Sequence, residues 1–291
     1  MNQYRFRQSF AVDPRLSDRL FKLLEIAFPG VKDAAVRIRK LGAPWEDAST
    51  PFIRFHDELA ITHVGVLEIP MRLMGKDVVV GGIHGVCTHP QFRRRGYYRE
   101  VMEEVLNYCD RRYQTLVLTT SQPELYKPFG FRWIEEHIFI SKCDSKGGID
   151  GFRLLNTSDH DDIKLLHRLL EARQPVSNIL GIVNEKAIFC YQEGNNPLYY
   201  AQDLDLIAAM KIEGNKIKLF DVVGTQICTL EAILKRVPQP INEVEIYFCP
   251  ERLDADVQAL PHLLDGDSFL MVRGAFPLET EKFMLPHAAR C

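Results

Sequence analysis

The chain has 291 residues, with a hydrophobic fraction of 46%, a charged fraction of 26% and a formal net charge of −3. That length accommodates one large domain or two ordinary ones, with core enough to fold without disulfides or metals. The slightly acidic balance excludes a protein built mainly to grip nucleic acid, and no run approaches the roughly 18 apolar residues that span a bilayer.

The stretch before Arg15 lacks the apolar centre of a secretory signal. The cysteines at 87, 109, 143, 190, 228, 249 and 291 are scattered without a C-x-x-C pair. That pattern reads as free thiols in a cytoplasmic protein, with no metal site and no membrane partner expected.

In chain order, Tyr4–Phe10 reads as a strand. Asp13-Pro14 then opens a helix with Leu16, Leu20, Leu23, Leu24 and Ala27 at helical spacing. Val31–Leu41 is a second helix. Phe52–His56, Leu59–Met74 and Val78–Thr88 read as strands, the last rich in Val, Ile and Gly. A loop, His89–Gly96, leads into an amphipathic helix whose apolar side is Val101, Met102, Val105, Leu106 and Cys109. Thr115–Thr120 is a short buried strand, Gln122–Lys127 a brief helix capped by Ser121, and Phe131–Lys142 a strand. Asp144–Gly148 reads as a linker.

After the linker the order restarts. Phe152–Leu155 is a strand, Asp159–Glu171 a helix and Ala187–Tyr191 a strand. Leu204–Ile212 and Lys216–Val223 form a hairpin around Glu213-Gly214-Asn215. Leu230–Val237 is a helix, and Glu243–Phe248 and Phe269–Arg273 are strands. The repeat lies in element order, not in residues.

The segment from Val86 to Tyr98 carries the clearest chemistry. A loop between strand and helix aims backbone N–H groups at one point, at the positive end of the helix dipole. Such a loop suits phosphate. Gly96 permits a close backbone approach, and Arg93, Arg94, Arg95 and Arg99 supply charge and forked donors. On charge alone the same stretch also reads as a solvated basic turn.

The order Arg93-x-x-Gly96-x-Tyr98 resembles motif A of the GNAT superfamily of N-acetyltransferases, with Tyr98 where Gly or Ala is usual. Downstream, Tyr126 followed by Phe129-Gly130-Phe131 resembles the second signature of that family. The likeness covers roughly residues 3–142 and is nearest to the enhanced-intracellular-survival type. It implies an α+β GNAT fold, a mixed central twisted sheet flanked by helices, in residues 1–145. Residues 150–291 are then a degenerate GNAT-like domain without an arginine cluster, hence without cofactor, or an abbreviated sterol-carrier-like domain.

The resemblance also implies acetyl-CoA as cosubstrate, held by Val86, Cys87, Thr88, Arg93, Arg94, Arg95, Gly96, Tyr97, Tyr98, Arg99, Ser121 and Gln122. A small-molecule amine or a lysine-bearing substrate would attack the thioester directly in a ternary complex. Backbone N–H groups of Val86–Thr88 would polarise the carbonyl, and Tyr126 would protonate the leaving thiolate. A proton acceptor is also needed. His84, on the same strand face as Val86, is one candidate. The terminal carboxylate of Cys291, which plays this part in the enhanced-intracellular-survival type, is the other. A Cys291 thiol carrying the acyl group is the least favoured.

Ser158–Asp162 reads as a capped helix start, not a metal site. Asp203 and Asp205 read equally as contacts for a cationic substrate and as surface charges. The competing function is a non-catalytic acyl-CoA-binding sensor. The sequence is compatible with a homo-oligomer.

Overall fold

The computed structural model describes residues 4–291, so the first three residues of the N-terminal stretch lie outside it. The first half runs α1 (Leu16–Ala27), α2 (Val31–Lys40), α3 (Trp45–Ala48), β1 (Ser49–His56), β2 (Leu59–Leu73), β3 (Lys76–Thr88), α4 (Tyr97–Cys109) and β4 (Thr115–Thr120). It continues with β5 (Arg132–Ile134) and β6 (Glu136–Ser145). Then follow β7 (Arg153–Leu154), α5 (His160–Ala172), β8 (Leu180–Ile182), α6 (Ala187–Glu193), β9 (Leu198–Ala201), β10 (Leu206–Glu213) and β11 (Lys216–Gly224). Last come α7 (Leu230–Leu234), β12 (Ile241–Ile246), β13 (Gln258–His262) and β14 (Phe269–Gly274).

Local chemistry accounts for most of these elements. Leu16, Leu20, Leu23 and Leu24 are buried on one side of α1, at roughly 1.5–3 kcal/mol of hydrophobic stabilisation each. Asp159 caps α5 by accepting from the N–H groups of Asp161 and Asp162, as the acidic cluster there suggested. Gly214 turns the β10–β11 hairpin with a positive φ of 62°.

The strands form two sheets of matching order. One runs β1-β2-β3-β4-β14-β5, with β8 paired to β2. The other runs β9-β10-β11-β12-β6-β13, with β7 beyond β9. In each, an antiparallel hairpin is followed by one parallel pair, β3 with β4 and β11 with β12. The tandem GNAT-like arrangement is therefore present in space.

The division at 145/150 is one of chain order, because the second sheet takes one strand from the other side of it and the first takes two, β8 and β14. β6 leaves the first half and pairs with β12 and β13. β14 returns from the end of the chain and lies between β4 and β5.

Four expectations need correction. Phe131–Lys142 is not one strand: it breaks at Glu135 into β5 and β6, which serve different sheets. Ala187–Tyr191 is helical, started by Glu185, whose carboxylate accepts from the N–H groups of Ile188 and Phe189. Tyr4–Phe10 contributes only an isolated bridge, Arg7 to Phe52. Gln122–Lys127 is not an α-helix: two 3-10 turns, Pro123–Leu125 and Lys127–Phe129, stand in its place. Among the described residues no helix is long and apolar enough to cross a membrane.

The last segment of the chain is core. Phe283, Met284, Leu285, Ala288 and Ala289 are all buried in the largest apolar cluster. The Phe283 carbonyl accepts from the His137 N–H at 2.7 Å, so the segment also follows β6.

Candidate active site

β3 and β4 are paired only at Gly81–Leu116 and Gly82–Val117. Beyond that point both strands continue and part, leaving a fork. The register of β2 against β3 slips between His63 and Gly65, so β3 bulges at Gly85, which has a φ of 58°. A bulge next to a parting strand turns backbone N–H groups away from the ladder.

From the open end of β3 the chain enters the arginine loop. Arg93 Nε donates to the Thr88 carbonyl at 3.1 Å, tying the loop back to the strand. Arg94 and Gly96 both have left-handed backbone, with φ of 62° and 83°. Nothing lies within 4 Å of a Cβ placed on Gly96, so its need for glycine is conformational rather than steric. Gly96 is the N-cap of α4 and supplies no side-chain cap, so the first N–H groups of the helix face the loop. Arg93, Arg94, Arg95 and Arg99 are exposed. Among the described residues no carboxylate pairs with any of the four. Nearby, Arg54 pairs with Glu100 and lies 4.0 Å over the Tyr97 ring, which fixes the first turn of α4.

Tyr98 does not crowd the loop. Its hydroxyl donates to the Leu125 carbonyl at 3.2 Å, and its ring meets Phe129 and Tyr126 edge-on. It braces α4 against the 3-10 turns that carry Tyr126. Burial raises the Tyr98 phenol pKa, and the neighbouring Tyr126 adds to the rise.

Tyr126 is buried, at 7% exposure. Burial pushes its pKa up to about 12, against the lowering effect of a side-chain hydrogen bond with Thr120. Cys291 and Cys87 contribute smaller increases. Ser121 and Gln122 are exposed just before this turn, where the Gln122 N–H donates to Thr120 Oγ1 at 3.0 Å.

Cys291 sits in the fork itself. Its main-chain oxygen accepts from the Thr119 N–H at 3.0 Å. Its thiol sulfur lies 3.8 Å from the Val117 carbonyl and would stand only 2.8 Å from a Cβ on Gly82. A glycine at 82 is thus what makes room for Cys291 between the two strands. Burial pushes the Cys291 and Cys87 thiols up to about 12, so neither is a thiolate near neutral pH.

His84 lies two residues beyond Gly82, on the same face of β3. It is buried, and its Nε2 shares a 2.8 Å hydrogen bond with Ser49 Oγ. The absence of a side chain at Gly65 leaves space for its ring. Trp45 contacts that ring edge-on at 4.8 Å and itself packs on Tyr191.

His63 is the neighbour that sequence reasoning missed, at 5.8 Å between ring centroids. Its Nδ1 is 2.7 Å from the Gly85 carbonyl, which can only accept, so Nδ1 carries the proton and Nε2 is a bare acceptor. That Nε2 is buried with no partner among the described residues. Burial holds His63 down to about 4; burial, with His63 beside it, also takes His84 well below the ordinary value. Both rings are therefore neutral near pH 7. Counting back from the Gly75 turn would have put His63 across from the end of β3.

Among the described residues no group of three or more His, Cys, Asp or Glu side chains is arranged to hold a metal ion. Asp203 and Asp205 are tied to Arg236 and to Arg168, away from the fork.

Comparison with known proteins agrees with this layout. Residues 12–134 match the family model described as an acetyltransferase (GNAT) domain. No curated protein matches the sequence. A probable N-acyltransferase of unknown function from Enterococcus faecalis V583 shares the fold at 14% identity and a TM-score of 0.58, over 92% of this chain and 71% of that one. A GCN5-related N-acetyltransferase from Kribbella flavida does so at 15% identity and 0.53, over 90% and 69%. Eis1 from Mycobacterium abscessus does so at 14% identity and 0.52, over 94% and 74%. Residues 12–134 are therefore similar to a GNAT acetyltransferase domain, and the chain shares its fold with these three proteins.

Proposed function

We propose that the protein is an acetyl-CoA-dependent N-acyltransferase that moves an acetyl group to a primary amine in a ternary complex. The observation that carries the reading is the convergence on one fork of an uncapped, arginine-rich helix start, a bulged strand edge and the buried Tyr126. The loop N–H groups with Arg93, Arg94, Arg95 and Arg99 would hold the diphosphate. The pantetheine arm would run along the β3 edge from Val86 to Thr88, and Ser121 and Gln122 would border its far side.

The amine nitrogen attacks the thioester carbonyl, and the bulge N–H groups stabilise the oxyanion that forms. As the C–S bond breaks, the Tyr126 hydroxyl donates to the departing thiolate. With a pKa near 12, Tyr126 is always protonated in working conditions, but full transfer to a thiolate is uphill if made in isolation. Its contribution is a hydrogen bond that strengthens while the bond breaks, with the proton following.

The amine proton leaves towards the Gly82 face of β3. A water path suits this better than His84, whose basicity burial suppresses and whose Nε2 is engaged with Ser49. His84 then shapes the acceptor side. Against the alternative of a non-catalytic acyl-CoA sensor, the bulky Tyr98 side chain is turned towards Leu125 and leaves the loop open.

The test is free-thiol release from acetyl-CoA over aminoglycosides, polyamines, amino acids and lysine peptides. Amine-dependent release is expected. Tight acetyl-CoA binding with no release over the whole panel would favour the sensor.

A further inference from the structure

The Cys291 wedge is held from behind by a device that the chemistry above does not use. Arg290, at 4% exposure, and Glu136, at 3%, form a buried bidentate ion pair with N–O distances of 3.1 and 2.8 Å. Arg290 also donates to the Leu285 carbonyl at 2.8 Å. Glu136 Oε1 accepts from the Leu285 N–H at 2.8 Å, so both partners grip the same turn of the last segment. From α6, Gln192 Nε2 donates to the Arg290 carbonyl at 3.0 Å. The residue immediately before Cys291 is thus fixed by its side chain and by its main chain.

Glu136 opens β6, the strand given to the second sheet, whereas Thr119 and Gly82 belong to the first. The clamp therefore ties the fork of one sheet to the body of the other. A buried ion pair is a weak source of stability, since well-packed apolar side chains do as well or better. Its value lies in fixing one geometry. Here the geometry fixed is the Cys291 main chain against the inner edge of β4. With the Thr119 N–H occupied, the neighbouring strand edge, β3, is the one left for a ligand.

We propose that Glu136 and Arg290 are positioning residues: they set Cys291 as the wedge that holds the fork open and covers the β4 edge. This rests on the acyltransferase reading, but its structural half does not. Without the clamp the wedge wanders, and the thioester loses its fixed distance from Tyr126.

The experiment compares Glu136→Gln, Glu136→Asp and Asp221→Asn in the full chain. Asp221→Asn breaks an equally buried ion pair, Arg173–Asp221, in the other sheet and serves as the reference for mere destabilisation. Each is measured for kcat and KM with acetyl-CoA and for hydrogen exchange at the Thr119 amide. Glu136→Gln should lower kcat on the order of 10²-fold with little change in KM, since a misplacement near 1 Å carries that effect. It should also speed Thr119 exchange beyond what Asp221→Asn does. Glu136→Asp, which keeps the charge and has the better prospect of folding, should restore part of both.

Glu136 variants that match Asp221→Asn in both measurements would overturn the clamp. A parent chain that releases no thiol would instead overturn the acyltransferase reading. Thr119 exchange would then still decide the positioning role.

Discussion

The two sheets share one plan and end in two different forks. In the first, the last parallel pair is Gly82–Val117, and the strands then part around Cys291. In the second, the last pair is Leu219–Ile246, followed at once by the Tyr247 N–H bonded to the Leu219 carbonyl. The gap beyond is filled. His287 stacks on Phe220 at 4.9 Å and meets Tyr247 edge-on. Two residues past the last pair, where the first fork has neutral His84, the second has Asp221 locked to Arg173. The helices differ in the same sense. α4 is long and starts uncapped behind exposed arginines, while α7 has five residues and its start is closed by Thr229, which accepts from the Ala232 N–H. A phosphate-binding helix start becomes an ordinary one once a hydroxyl satisfies it and no arginine precedes it.

The largest effect should come from making the first loop resemble the second. Arg94→Ala with Gly96→Asp removes a cation and adds a carboxylate where the diphosphate would sit. It also strains a backbone whose φ is 83°. Acetyl-CoA affinity by calorimetry should fall at least about 10³-fold, the sum of two charge-assisted contacts and one repulsion. Unchanged affinity would remove the loop from the site. Next in size is Tyr126→Phe, which keeps the ring packing against Tyr98 and Phe131 and deletes only the hydroxyl. Turnover should drop roughly 10²-fold with acetyl-CoA affinity kept. Equal losses in both would make Tyr126 a packing residue.

Much of the first fork was legible because its chemistry is local in sequence. Val86 to Tyr98 is one strand–loop–helix unit, and the Tyr126 turn follows after a single strand. What was not legible depends on contacts between distant segments. Nothing in Phe131–Lys142 says that its two ends serve different sheets, since alternation fixes a strand's faces and not its partners. The same holds for β14, whose neighbours β4 and β5 come from the other end of the chain. Ala187–Tyr191 is a short apolar run, which periodicity cannot divide between strand and helix. The acceptor at Glu185 decides it. Arg290 and Glu136 are 154 residues apart, and each alone looks like a surface charge.

In the second fork the expected effect is on stability. Asp221→Asn leaves Arg173 buried without its counter-charge, which costs about 3–5 kcal/mol. Denaturant unfolding should show that loss, with kcat per folded molecule within about twofold of the parent. A large fall in kcat would mean that the second fork takes part in catalysis and is not a sealed relative of the first.

The smallest effect concerns the neutral imidazoles that the first fork has and the second replaces with an ion pair. His63 carries a folded pKa of about 4 against 6.5 when unfolded, because burial penalises its charged form. Between those values the unfolded chain binds more protons than the folded one, so stability falls as the pH drops below 6.5 and the loss is complete below about 4. Each unit of difference is about 1.4 kcal/mol, which gives roughly 3 kcal/mol for this side chain. His84 is displaced in the same direction and adds to the loss, though not independently, since the two rings face each other. His63→Gln has no proton to gain in that range. Urea unfolding at pH 7 and at pH 4 should therefore show a smaller acid loss in the variant, by roughly 3 kcal/mol. Parallel pH profiles for parent and variant would mean that His63 gains its proton as readily in the folded protein as in the unfolded chain, and that water reaches the acceptor side of the fork.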